Sequence, residues 1–194
     1  GQAAGTEIPL TLSTPGYFEC RLELARDDRI EDARVFRYAA LPMPGPQTPN
    51  RFAGFCCHFQ RPDSWPIEGM DLFVRYGFRE FRDEIPWSAV EQEPGVFALP
   101  EDRAAFTHRA RTLGLNPLLI FCYSNPHYDE GGFPNSDEAV AAYARWCAFM
   151  ADALRGQCDS FEVWNEWSVK CGMRGKRGSN APERYAKLLK AVYP

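Results

Sequence analysis

The chain has 194 residues, 45% hydrophobic and 25% charged, a balance that argues against disorder and fits a globular protein with one good core or one core and part of another. A formal net charge of −4 supplies no general attraction for nucleic acid or an anionic membrane, and no apolar stretch approaches the ~20 residues of a spanning helix. Seven cysteines without a CxxC pair, beside three histidines, argue against a metal centre and for buried free thiols; a single disulfide among Cys20, Cys147, Cys158 and Cys171 is the alternative.

The chain opens on GQAAGTEIPL, which lacks the basic and apolar segments of a signal peptide. Three strands are expected first, in IPLTL, YFECRLEL and ARVFRYAAL, with Phe18, Cys20, Leu22 and Leu24 on one face of the second and RDDRIED as a polar hairpin connection. So few strands bury little apolar surface, so residues 1–42 read as the closing strands of a truncated β-sandwich. Residues 43–50, inside the proline-rich LPMPGPQTPN, read as a linker.

From residue 51 strands alternate with helices. RFAGFCCHF is a strand and MDLFVRYG a short helix closed by Gly77; FREFRDEIPW is a second strand ending at Pro86. PEDRAAFTHRARTLG has Pro100 at the start, a face of Ala105, Phe106, Ala110 and Leu113, and Gly114 as a C-terminal cap. NPLLIFCYSN is a third strand, apolar as expected when both faces are covered. The longest helix, NSDEAVAAYARWCAFMADALRG, is opened by Asn135 with Glu138 as a capping box; SFEVWNEW is the fourth strand, and PERYAKLLKAVY a helix with Pro182 near its start. Four strand–helix units predict an α/β fold, either an open doubly wound sheet or part of a (β/α)8 barrel. No GxGxxG follows the first strand, which weakens the nucleotide-binding version.

Polar residues gather at the C-terminal strand ends, where barrel enzymes place their chemistry: His58, Arg82, Tyr123, Asn125, Asn165 and Glu166. The run FEVWNEW sets Asn165 and Glu166 between Trp164 and Trp167, where an unpaired charge is expensive. A proton-donating carboxyl needs a raised pKa, and aromatic neighbours or a second carboxylate raise it. Consecutive residues of a regular strand face opposite ways, so Asn165 and Glu166 can serve one ligand only if the strand ends or bulges there.

FEVWNEW, GFREFRDEIPWSAVEQEPGVF, LLIFCYSNPHYDEGGFP and, less specifically, GFCCHF together resemble the retaining (β/α)8 glycoside hydrolases of clan A, nearest in pattern to family 39. The resemblance covers residues 51–194 and implies the first four βα units of a TIM barrel, about half of one. It implies Glu166 as general acid/base, Asn165 on the sugar's 2-hydroxyl, and Arg82 beside the nucleophile. It also implies Trp87 near the sugar, Tyr123 and Asn125 at the mouth of the third strand, His58 at a subsite, and Trp164 as a further substrate contact. The family's nucleophile is a glutamate on the seventh strand, so none is assigned within these residues. Trp167 departs from the proline that usually follows the acid/base. The implied ligand is a carbohydrate, with no cofactor or metal. The remaining half-barrel is expected from the same or another chain, and the setting as extracellular or periplasmic.

Plainer readings stand beside these. Glu166 could pair with Arg82 as a structural charge, and Arg82 with Asp83 or Glu84. The tryptophans could be core, His127 and Tyr128 plain loop, and Glu162 a buried hydrogen-bond partner of its surroundings. Lys170, Arg174, Lys176 and Arg177 read as a solvated loop, or else as attraction for an acidic sugar. A non-catalytic carbohydrate-binding or scaffold remnant is the alternative to an enzyme.

Overall fold

The computed structural model describes residues 9–42, 44–45, 47–61, 65–169 and 178–193, in two compact units, Gly1–Pro46 and Gln47–Pro194. In the first, β1 (Gly16–Arg26) and β2 (Arg29–Ala40) pair antiparallel, with Phe18 opposite Tyr38 and Cys20 opposite Phe36. The connection is tighter than RDDRIED suggested. Only Asp27 and Asp28 turn, both with positive φ (49° and 62°), the two-residue geometry whose twist matches paired strands. Residues 9–13 form no strand, so IPLTL does not join the hairpin over its described part. Tyr17, Leu22, Leu24, Val35, Phe36 and Tyr38 remain exposed, and the described residues of this unit contain no second sheet layer.

The second unit holds a curled sheet of four parallel strands in the order β3 (Asn50–Cys56), β4 (Phe78–Pro86), β5 (Asn116–Cys122), β6 (Ser160–Val163). Spatial order follows chain order, as when each strand–helix unit lays its strand beside the last. The intervening helices are α1 (Met70–Arg75), a single turn α2 (Trp87–Val90) that the sequence pattern did not reveal, α3 (Glu101–Leu113) and α4 (Asp137–Ala153); α5 (Pro182–Val192) follows β6.

Helix boundaries follow local chemistry. Gly114 takes φ +67°, and the Leu115 amide returns to the Ala110 carbonyl at 2.9 Å, closing α3. The cap of α4 is Ser136, not Asn135: its Oγ accepts from the Ala139 amide at 3.1 Å, while Asn135 Oδ1 accepts from the Ser179 amide.

The sheet has two different faces. Phe81, Ile85, Leu119 and Phe121 are buried in one hydrophobic core with Phe106 and Ala110 of α3 and Tyr143, Trp146 and Met150 of α4. The alternate positions carry Cys56, Glu80, Arg82, Glu84, Asn116, Ser160 and Glu162, with Leu118 and Ile120 of β5 among them, a largely polar face that would line a barrel's interior. Among the described cysteines none is disulfide-bonded; Cys57, Cys122, Cys147 and Cys158 are buried, Cys56 is exposed, and Cys171 lies outside the described residues.

Candidate active site

The site is built where β6 stops. Regular strand geometry ends at Val163; Trp164 and Glu166 both take positive φ, +67° and +51°. Such φ values in non-glycine residues cost about 1–3 kcal/mol each and persist only where packing over-determines them. Here the packing is aromatic. Trp164, 2% exposed, lies against Phe133, Tyr143 and Trp167, and Trp167 packs on Phe133 and Tyr185. The Trp164 amide still donates to Phe121 O at 2.9 Å, fastening the first residue of the turn to β5. The alternation of a regular strand is thereby broken at the Asn165–Glu166 pair.

The rings do not enclose the carboxylate. Glu166 is exposed, and among the described residues no hydrogen bond or ion pair engages its side chain. This corrects the expectation of a buried Glu166 and its pairing with Arg82: the two tryptophans anchor the backbone while the acid points to the open side. Glu166 instead lines a cleft of about 340 Å³ with Glu162, Trp164, Trp167, Ser168 and Tyr185.

Arg82 is the centre of the polar face. Its Nε and Nη2 donate to the two oxygens of Glu162, each at 2.7 Å, and Nη2 also donates to Asn165 Oδ1 at 2.8 Å. Asn165 Nδ2 donates to Tyr123 Oη at 2.9 Å. Nη1 reaches Cys56 Sγ at 3.5 Å. The bond to Glu162 raises the Arg82 pKa still further, keeping the guanidinium charged. Neither Asp83 nor Glu84 is its partner, correcting that reading. Asp83 accepts from the amides of Phe59 (2.6 Å) and Glu84 (2.7 Å), and Glu84 from Arg61 Nη2 (3.2 Å). Burial pushes Asp83 up to about 7.

Other expected contacts lie elsewhere. Trp87 is 1% exposed, stacked on Tyr128 and Trp146, and donates through Nε1 to Glu91, so its ring is core and not open to a sugar. Asn125, 1% exposed, donates to Glu91 O and accepts from the His127 amide, holding its own loop. Trp164 is 2% exposed and meets the Glu166 cleft only as part of its wall. Tyr128 is no plain loop residue: its hydroxyl donates to Glu91 Oε1 at 2.6 Å. Glu91, fully buried, also receives the Gly95 amide, and sequence reasoning missed it. The only available signal was the i, i+4 spacing from Trp87. His58 is half-buried at the end of β3, its Nδ1 enclosed without a hydrogen-bond partner among the described residues. Glu162 is a hydrogen-bond partner as expected, but half-buried. Lys170, Arg174, Lys176 and Arg177 lie outside the described residues. Among the described residues no group of three metal-ligating side chains converges, and no helix is long and apolar enough to cross a membrane.

A curled parallel sheet with helical crossovers and polar groups at its C-terminal edge is a partial (β/α)8 barrel, and the solved structures it resembles include glycoside hydrolases. One is a family 39 glycoside hydrolase from the gut symbiont Bacteroides cellulosilyticus WH2, at 26% identity and a TM-score of 0.62 over 93% of this chain and 36% of that one. Another is a β-glucosidase from Exiguobacterium marinum, at 18% identity and a TM-score of 0.50 over 68% of this chain and 32% of that one, a likeness of fold alone. The chain thus spans about a third of the length of each. No protein-family model and no curated protein matches it.

Proposed function

We propose that these residues form the acid/base half of a retaining glycoside hydrolase, with Glu166 as general acid and then general base. The observation that carries this is the contrast between two carboxylates at the end of β6. Glu162 has both oxygens committed to Arg82, whereas Glu166 stands exposed on a turn that breaks the strand's alternation. A carboxylate held in a fork by a guanidinium is a poor proton donor; one without such a partner can exchange its proton with a ligand.

In this reading Glu166 protonates the glycosidic oxygen as the bond to the anomeric carbon breaks. A second carboxylate, outside these residues and about 5–5.5 Å away, attacks that carbon; Glu166 then takes a proton from the water that releases the sugar. Asn165 meets the 2-hydroxyl, with Arg82 and Tyr123 behind it. Residues 1–42 are read as part of a β-sandwich and 43–50 as the linker. The 93% of the chain matched to the family 39 structure takes in most of Gly1–Pro46.

The test is the anomer released first when the whole protein cleaves an aryl glycoside, followed by NMR before mutarotation. Retention is expected, and Glu166→Gln should lower release of a poor leaving group about 10²–10⁴-fold. Inversion, or a fully active variant, would contradict the assignment. A sugar-binding remnant predicts binding without release.

A further inference from the structure

We propose that Glu162 is a positioning residue: through Arg82 it fixes which end of the Asn165 carboxamide is offered to the sugar. This rests on the reading of Asn165 as the 2-hydroxyl contact. A guanidinium carries only donors, in a rigid plane. Glu162 takes Nε and Nη2 together at 2.7 Å each, which fixes that plane. The same Nη2 makes the 2.8 Å bond to Asn165, so the amide atom on that side must be the oxygen. The nitrogen then lies on the Tyr123 side, where it donates to Oη at 2.9 Å.

The pair spans the sheet. Arg82 is on β4 and Glu162 on β6, with β5 between them, and both sit on the polar face. An ion pair that only tied strands together would need no third bond to the residue before Glu166. Glutamine at 162 would keep the shape but oppose one of its own N–H groups to an arginine N–H. The guanidinium would tilt, and the amide could turn over.

The experiment uses the whole protein, an aryl glycoside and its 2-deoxy counterpart. Glu162→Gln is expected to lower kcat/KM on the 2-hydroxy substrate about 10–100-fold, the effect of losing a hydrogen bond to a charged group, while the 2-deoxy substrate changes by less than about threefold. Asn165→Ala should shift the same ratio. Nitrogen-15 NMR gives a readout independent of turnover: the two Asn165 amide protons should be separate and slow to exchange, and should sharpen toward free-amide behaviour in Glu162→Gln. Equal losses on both substrates would mean that Glu162 is structural; an unchanged Asn165 amide would show that no orientation lock exists. Either overturns the inference. If Asn165→Ala itself leaves the ratio unchanged, the 2-hydroxyl assignment fails and the inference with it. A changed ratio in Asn165→Ala alone sinks only the role of Glu162.

Discussion

Asp83 and Arg82 are neighbours on β4 that face opposite sides of the sheet, and each states what its side demands. Arg82 faces the polar side and is held charged by Glu162. Asp83 is 1% exposed, and burial lifts its pKa from the ordinary 3.8 to about 7. The folded state therefore binds this proton more tightly than the unfolded chain does. Its contribution to stability is full below about pH 4 and is lost as the pH rises to about 7. Denaturant titrations should show the stability of the wild type relative to Asp83→Asn falling across that window; a constant difference would contradict the assignment. That Arg82, Tyr123 and Asn165 come together at one strand edge was legible because strand position and side-chain chemistry agree. Trp87, Asn125 and the exposure of Glu166 were not. An aromatic or amide at a strand end has the same neighbours in sequence whether it faces a ligand or the core. The direction of Glu166 depends on two positive φ values that only the packed rings enforce.

The strand–helix alternation was readable because each element carries its own period and punctuation: Pro100 and Gly114 around α3, Pro182 at the first turn of α5. Element ends were less so. SFEVWNEW looks like eight residues of strand, but β6 keeps only Ser160–Val163, since the aromatic residues that suit a strand here pack as a cluster around a turn. The helix cap moved from Asn135 to Ser136 because Asn135 is used by the segment after β6. Gly54 shows a constraint invisible to periodicity. A Cβ there would lie 2.3 Å from the Glu80 carbonyl oxygen, where the β3–β4 register shifts. Gly54→Ala should therefore lower stability by about 1–3 kcal/mol, the cost of forcing atoms into a packed site, and loosen β3 first in hydrogen exchange. Unchanged stability would mean that β3 can move away without cost.

For the whole molecule, the four parallel strands leave β3 and β6 as edges within the described residues, and a closed barrel has none. The likeness to a family 39 structure, over 36% of its length, agrees with a sheet that is one part of such a barrel. That arrangement explains why a polar face rich in Glu80, Arg82, Glu84 and Glu162 is built on one side of a small sheet: it is half of an interior. In the proposed function the chemistry rests on Glu166 and on a second carboxylate outside these residues. The most direct test is the leaving-group dependence of Glu166→Ala in the whole protein. Turnover of glycosides with poor leaving groups should fall about 10²–10⁴-fold. A dinitrophenyl glycoside, whose departure needs no proton, should suffer far less, and added azide should restore turnover and yield the glycosyl azide with retained configuration. Equal losses on every leaving group, with no response to azide, would show that Glu166 is not the proton donor.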